Sequence, residues 1–163
     1  LNELGIDCFR GELDNVLSRF YNAALKNEAK NIIRVCADSP LIDGVLIDKL
    51  ISNYEAKGID FCGYTNSYYG LTGEVFNFSS LDKAFNNAKE SFDREHVTPY
   101  IINKLDSHIE DVEINYRKPE ERVVIDTLTD YIKMSKFYLL CKKKGITPCI
   151  DEFIRLKDEV EKI

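Results

Sequence analysis

Residues 31–43 read NIIRVCADSPLID, and this stretch decides the fold that we expect. Residues 31–37 are rich in β-branched and apolar side chains, a pattern typical of a strand buried on both faces. The sequence Asp38-Ser39-Pro40 then ends the run. In an open α/β sheet, ligands bind outside the carboxyl ends of the strands. Asp38 would therefore stand at the mouth of a crevice, although an aspartate in this position more often caps the following helix.

The composition fits one globular domain over residues 1–163. Hydrophobic residues make up 44% of the chain and charged residues 31%, and the formal net charge is −6. This acidic balance argues against a nucleic-acid partner, because a nucleic-acid interface needs a basic face. It allows a phosphorylated substrate if a divalent cation supplies positive charge locally.

Cysteine usage and hydropathy predict a cytoplasmic protein without a membrane partner. No apolar run approaches the roughly 18 residues of a membrane span, and no segment resembles a signal peptide. The five cysteines are odd in number and have no C-x-x-C spacing, which argues against structural zinc. Cys8, Cys36 and Cys62 fall in strand-like runs, where a free cysteine is expected to be buried.

Strand-like and helix-like segments alternate along the chain with short connections. We predict strands at residues 6–9, 31–37, 60–64 and 74–78, and helices at residues 13–26, 44–57, 81–89, 126–144 and 150–163. Such alternation indicates an α/β fold with a largely parallel sheet and crossover helices. Residues 112–116 and 122–125 could pair as two further strands. Ser79 or Ser80 is the expected cap of the helix at 81–89.

Two aspartates stand at equivalent places, each directly after a predicted strand. Asp38 follows residues 31–37, and Asp126 follows residues 122–125. Two carboxylates that converge on one crevice could hold Mg²⁺, which accepts one or two carboxylates and leaves the rest of its shell for water and substrate phosphates. The alternative is helix capping, for which Asp126-Thr127 is an even better sequence than Asp38-Ser39. The spacing alone does not decide between them.

Three other residues are candidates because of their chemistry. Glu74 begins a strand after a glycine-containing loop, and His96 ends the polar cluster Asp93-Arg94-Glu95-His96. His96 could act as a general base or orient a phosphate, although a lone histidine near a proline is more often structural. Arg34 lies inside an apolar run and therefore needs a carboxylate or phosphate partner.

Taken together, the motifs resemble the acylneuraminate cytidylyltransferase family, and within it the branch of spore-coat polysaccharide biosynthesis. The resemblance covers nearly the whole chain. It rests on five motifs in the same order: FRGELDNVLSRFY (9–21), IRVCADSPLID (33–43), EVF (74–76), REHVTPY (94–100) and RVVIDT (122–127). An ordered set of five is far more specific than any one of its members.

The resemblance implies a fold, a reaction and a set of site residues. The fold is the Rossmann-like, three-layer α/β/α nucleotide-diphospho-sugar transferase fold of the GT-A type, with a mixed sheet. In the reaction, a hydroxyl of an acidic sugar attacks the α-phosphorus of CTP and pyrophosphate leaves, while Mg²⁺ neutralises the developing charge. By position, Asp38 and Asp126 would bind the metal and act in catalysis with His96. Two arginines, Arg10 and Arg34, would bind the nucleotide, and three residues would bind the sugar: Glu74, Arg94 and Arg122.

Members of this family usually open with a strand and a Gly-Ser-x-Arg-type loop that holds the triphosphate. No such segment precedes the motifs here, so we expect an amino-terminal piece with the first strands of the sheet to be missing. Open strand edges would remain, and we expect either that homodimerisation or strand exchange covers them or that the chain rearranges.

Two alternatives stay open beside the enzyme. One is a non-catalytic remnant that binds nucleotide or sugar, or that only self-associates, and the missing loop favours it. The other is a glycosyltransferase on the same fold, although that class carries a D-x-D motif and Asp38-Ser39-Pro40 is not one.

Overall fold

The computed structural model describes residues 2–162 and shows an α/β fold with a mixed sheet. The helices and strands of the described chain are α1 (Val16–Lys26), β1 (Asn31–Arg34), α2 (Gly44–Lys57), β2 (Phe61–Thr65), β3 (Glu74–Asn77), α3 (Phe78–Asn87), α4 (Ser91–His96), α5 (Pro99–Lys104), β4 (Ser107–Asp111), α6 (Leu128–Lys144) and α7 (Ile150–Lys162). Single 3₁₀ turns are present at Asn2–Leu4 and Ile114–Tyr116. Among these helices, none is long and apolar enough to cross a membrane.

The strands are ordered β1-β3-β2-β4, and β3 runs antiparallel to β1. The N–H of Phe78, just after β3, donates to the carbonyl of Lys30, just before β1, over 2.8 Å. At the other end of the pair, Arg34 closes β1 beside Glu74, which opens β3. A strand that begins where its neighbour ends runs in the opposite direction.

Strands β2 and β4 run parallel, which makes the sheet mixed. Asp60 N–H donates to the carbonyl of Asp106 over 2.9 Å at the start of both strands, and Val112 N–H donates to the carbonyl of Thr65 over 3.2 Å at their ends. The mixed sheet is confirmed, and β3 supplies its reversed strand.

The described chain divides into two compact units. The first unit comprises residues 2–33, 54–62 and 75–108, and the second comprises residues 34–53, 63–74 and 109–162. Each unit has its own apolar core. The first core includes Leu17, Phe61, Phe76, Leu81, Val97 and Ile101, and the second includes Leu46, Leu71, Met134, Phe137, Phe153 and Leu156. One domain over the whole chain stays a prediction.

Two strand predictions near the amino terminus are wrong. Residues 6–9 form no strand, because none of the four strands in the described chain pairs with them and an extended segment needs a partner for its backbone hydrogen bonds. The strand predicted at 31–37 ends at Arg34 and is not buried on both faces: Ile33 is 45% exposed and Val35 is 49% exposed. The reason is that β1 is the edge of this sheet.

The same two segments account for the exposure of two cysteine side chains. All five are free, and Cys62 is buried in β2 as predicted. The prediction that Cys8 and Cys36 are buried is wrong, because Cys8 lies in the unpaired segment and Cys36 follows the edge strand.

Helices follow the predictions more closely, with shifts at their starts. The helix at 44–57 is confirmed, with Gly58 at φ +63° behind it. α1 begins three residues later than predicted, because the side chain of Asn15 accepts the Ser18 N–H over 3.0 Å. Asn77, not Ser79 or Ser80, caps α3 in the same way and moves its start to Phe78.

The chain between β4 and α6 differs from the prediction. Residues 112–116 and 122–125 do not pair with each other. Single bridges join the 66–73 loop to this region instead, from Ser67 to Arg117 and from Tyr69 to Arg122. The apolar periodicity of α6 predicts that six of its residues are buried, but these residues divide into two sets. Met134, Phe137 and Cys141 are buried, whereas Tyr131, Ile132 and Tyr138 are exposed, against that prediction.

Candidate functional site

Three segments of the second unit lie side by side and carry both candidate aspartates. The N–H of Ile125 donates to the carbonyl of Asp38 over 2.8 Å, and the N–H of Val123 donates to the carbonyl of Tyr69 over 2.9 Å. Asp126 therefore follows directly on a residue that is bonded to Asp38. Long-range backbone hydrogen bonds thus bring the two aspartates onto neighbouring segments.

Gly70 allows these segments to approach each other. Its φ is +90°, and a Cβ on this residue would lie 2.9 Å from Cβ of Val124 and 3.2 Å from Oγ of Ser39. Any side chain would push the segments apart and would strain the backbone at this φ. We call the surface built by residues 38–40, 69–71 and 122–130 the aspartate site.

Neither candidate aspartate caps a helix, so the capping alternative is wrong for both. Asp43 caps α2, since its Oδ1 accepts the N–H of Leu46 over 3.0 Å. Thr127 caps α6 and forms a capping box with Asp130. The carboxylates of Asp38 and Asp126 are both exposed, and Asp38 Oδ1 accepts the hydroxyl of Ser39 over 3.1 Å.

Arg122 lies between two carboxylates of the aspartate site. Its Nη2 is 2.5 Å from Oδ2 of Asp126 and 3.5 Å from Oδ2 of Asp130. Its guanidinium carbon lies 4.9 Å from the centre of the Tyr69 ring, which is a cation–π contact. The Asp126 carboxylate is the main reason that the pKa of Arg122 is raised above its usual value.

Asp130 holds the turn that carries Asp126. Its Oδ2 accepts the N–H of Asp126 over 3.2 Å, the N–H of Thr127 over 3.0 Å and the Thr127 hydroxyl over 2.9 Å. Burial alone would raise the pKa of Asp130, but these bonds and Arg122 outweigh it and lower the pKa below its usual value. Sequence reasoning missed Asp130 as a site residue, although the spacing Thr-x-x-Asp was a signal for it.

The donor set of the aspartate site fits Mg²⁺. Two exposed carboxylates on adjacent segments are the protein ligands that Mg²⁺ takes when substrate phosphates and water complete its shell. Over residues 2–162, no group of three or more histidine, cysteine, aspartate or glutamate side chains could hold a metal by itself. Metal binding by Asp38 and Asp126 stays a prediction.

Arg34 and Glu74 bind each other. Nη1 of Arg34 lies 2.7 Å from Oε2 of Glu74, and the two side chains are largely buried. The prediction that Arg34 needs an acidic partner is confirmed. A Cβ on the preceding Gly73 would lie 2.7 Å from the Arg34 carbonyl oxygen, so a glycine permits this approach. Nucleotide binding by Arg34 and sugar binding by Glu74 stay predictions.

The candidates of the first unit lie in separate places. Arg10 is exposed in the irregular segment before α1. Arg94, in α4, lines a cavity of about 410 Å³ together with Glu12 and Asp14. His96 ends α4, and its exposed ring lies 4.3 Å from that of Phe92. In the part of the first unit that the structure describes, no hydrogen bond or ion pair joins Arg10, Arg94 and His96.

The turn after His96 is strained. Val97 has φ +72° and ψ −55°, and the N–H of Thr98 donates to the His96 carbonyl over 2.9 Å, which makes a γ-turn of the unfavourable hand. Val97 is β-branched and fully buried, and Thr98 is helical although it precedes Pro99. Such strain costs about 1–3 kcal/mol and concentrates at functional sites.

Comparison with known proteins gives three findings. Residues 2–157 match the family model described as cytidylyltransferase. The chain is 38% identical over 149 residues to an uncharacterized protein of Methanocaldococcus jannaschii, covering 87% of this chain and 58% of that protein. It is 33% identical over 148 residues to the spore coat polysaccharide biosynthesis protein SpsF of Bacillus subtilis, covering 88% of this chain and 60% of that protein.

The chain thus spans about three fifths of the length of these two relatives. A solved structure, that of a cytidylyltransferase from Leptospira borgpetersenii serovar Hardjo-bovis, superposes with a TM-score of 0.79. The superposition covers 97% of this chain and 68% of that one at 23% identity, and it shows the shared fold.

Proposed function

The chain belongs to the cytidylyltransferase family, and from this premise we propose that it transfers CMP from CTP to a sugar hydroxyl with release of pyrophosphate. The relative in spore coat polysaccharide biosynthesis supports a sugar of a bacterial surface polysaccharide as the acceptor. We extend the proposal to an acidic sugar, because the five ordered motifs resemble the branch that activates acidic sugars.

The observation that carries the proposal is the pairing of Asp38 with the segment of Asp126. The bond from Ile125 N–H to the Asp38 carbonyl, together with the caps supplied by Asp43 and Thr127, leaves two exposed carboxylates on neighbouring segments. Mg²⁺ held there would neutralise negative charge that develops on the phosphates as pyrophosphate leaves.

Other residues of the chain would bind and orient the substrates. Arg122 sits on the aspartate site and offers a planar set of donors that suits a carboxylate or a phosphate. Arg94 and His96 lie in the last turn of α4, directly before the strained turn at Val97, which fixes the direction of the chain after α4. Arg10 would contribute positive charge toward the nucleotide. We propose the cytoplasm as the location of the protein.

Pyrophosphate release tests the function directly. We expect turnover with CTP, Mg²⁺ and one member of a panel of keto-acid sugars. Asp38→Ala and Asp126→Ala should each lower kcat at least about 100-fold, because one ligand of the charge-neutralising cation is lost. Asp48→Ala, an exposed aspartate on α2, is the matched control and should keep full activity.

Two outcomes would count against parts of this proposal. Turnover that survives Asp38→Ala unchanged would rule out Asp38 as a ligand of a catalytic cation. A lack of turnover with every sugar of the panel would favour the non-catalytic remnant.

We also propose that a second copy of the chain covers an exposed face of α6. The face has the 4-3-4-3 spacing of a helix–helix seam, with Ser135 near its middle, and its exposed apolar residues are Leu128, Tyr131, Ile132, Tyr138 and Leu139. Antiparallel pairing would bring the lysines at the carboxyl end of one helix toward the acidic amino end of the other, which supports a homodimer.

Light scattering tests this homodimer. We expect the mass of a dimer for the wild-type chain and of a monomer for Leu139→Glu, because a buried carboxylate at the seam is costly. Lys57→Glu, which reverses a charge at the exposed end of α2, should stay dimeric. A monomeric wild-type chain would contradict the proposal.

A further inference from the structure

We propose that Arg122 is a resident counter-cation of the aspartate site, which a divalent cation displaces from Asp126 and which then binds an anionic group of the substrate. This inference rests on the proposed function, because it assigns the divalent cation to Asp38 and Asp126. It adds a coupling between cation binding and substrate binding that neither aspartate supplies by itself.

The geometry shows one nitrogen shared by two carboxylates. Nη2 of Arg122 lies 2.5 Å from Asp126 Oδ2 and 3.5 Å from Asp130 Oδ2. With Asp38, the four side chains carry three negative charges and one positive charge. The formal sum of −2 matches a divalent cation, provided that the guanidinium gives up its contact with Asp126.

The two carboxylates differ in their exposure to solvent and in how rigidly the chain holds them. The side chains of Arg122 and Asp126 are 42% and 43% exposed, so this pair is screened by solvent and is weak. The side chain of Asp130 is only 10% exposed and is fixed by the capping box. A divalent cation can therefore displace the first contact while the second persists.

Arg122 stays at the site after the displacement. The Tyr69 ring lies 4.9 Å from its guanidinium carbon, and Asp130 remains within reach of Nη2. The donors that faced Asp126 are then available to a carboxylate or phosphate of the substrate. Because binding couplings are reciprocal, the substrate anion should in turn favour the cation.

Manganese binding tests the proposal, with Mn²⁺ as a spectroscopic substitute that is titrated by electron paramagnetic resonance. Arg122→Gln should bind Mn²⁺ about twofold to fivefold more tightly than the wild-type chain, because a competing exposed cation is removed. Arg155→Gln makes the same charge change at the exposed pair with Glu152 on α7 and should leave the affinity unchanged. Equal or weaker binding by Arg122→Gln would overturn the proposal.

A second measurement follows Arg122 itself. Adding Mg²⁺ should shift the side-chain ¹⁵N–¹H resonance of Arg122 in the wild-type chain and leave it in place in Asp126→Asn. An unchanged resonance in the wild-type chain at saturating Mg²⁺ would overturn the displacement.

The two proposals fail in different ways. If Mn²⁺ binding requires Asp126 but is no tighter in Arg122→Gln, the counter-cation is wrong and the metal site of the proposed function stands. If neither the wild-type chain nor Arg122→Gln binds Mn²⁺, both proposals fail together.

Discussion

The two units of this chain hold their candidate residues in different ways. In the second unit, backbone hydrogen bonds across more than 80 positions of sequence bring Asp38 beside the segment of Asp126, and Arg122 ties that segment to Asp130. In the first unit, Arg94 and His96 depend on one short helix and the strained turn that follows it. The difference teaches that long-range pairing assembles the aspartate site, whereas local strain fixes the His96 motif.

The largest loss of stability is expected at Gly70, where the three segments of the aspartate site approach each other. Gly70→Ala places a Cβ 2.9 Å from Val124 at φ +90°, so it combines a clash with backbone strain. We expect a loss of about 3 kcal/mol in the free energy of unfolding, together with weaker Mn²⁺ binding. Chemical denaturation measures the first effect and a metal titration the second.

Gly58→Ala is the matched control in the first unit. It has φ +63° with no atom within 4 Å of the added Cβ, so only the backbone strain of about 1 kcal/mol applies. Equal losses for the two alanine variants would mean that the close approach at Gly70 has no energetic importance.

A second, smaller difference tests the strain in the first unit. Val97→Gly and Val75→Gly both remove a fully buried valine side chain, but only the first also relieves a positive φ. We expect Val97→Gly to destabilise the chain by about 1–2 kcal/mol less than Val75→Gly. If the two variants lose the same stability, Val97 is not strained, and the structural argument for the His96 motif fails.

The smallest expected effect is on the stability of the folded chain at low pH. The lowered pKa of Asp130 means that its ionised form stabilises the folded chain above the unfolded pKa of about 3.9, and that this stability is lost as pH falls through the lower folded pKa. Asp130→Asn should therefore reduce the loss of stability that the wild-type chain shows as the pH falls. Thermal melts between about pH 2 and pH 6 measure it.

Asp60 provides the comparison in the first unit. Hydrogen bonds from Asn77, Ser80 and the Asp106 N–H outweigh its burial and also lower its pKa. Asp60→Asn should likewise reduce the loss of stability as the pH falls. If Asp130→Asn loses stability with falling pH as steeply as the wild-type chain does, the network around Arg122 is contradicted.

The sequence predicted those parts of the fold that depend on local signals. The bounds of α2 and the end of α6 followed from apolar periodicity and from the glycines behind them, Gly58 and Gly145, whereas α6 begins at Leu128, two residues later than predicted. The edge position of β1 was not predictable, because burial of a strand depends on which other strands flank it. The pattern of residues 31–37 is the same for a central strand and for an edge strand.

The candidate site was only partly predictable, because its contacts also depend on which distant segments lie side by side. Two aspartates after apolar runs suggested either a cation site or two caps, and only the structure shows that Asp43 and Thr127 cap the helices instead. The Thr127–Asp130 capping box could be seen in the sequence. The contact of Arg122 with Tyr69 could not, because it requires the bridge between two distant segments.

A double-mutant cycle on Mn²⁺ affinity tests the central claim most directly, using wild-type chain, Asp38→Asn, Asp126→Asn and the double variant. If both carboxylates hold one cation, each single variant should weaken binding at least about 10-fold, and the double variant should weaken it by much less than the product of the two effects. Two losses that multiply, or a single variant that binds like the wild-type chain, would contradict a shared cation site.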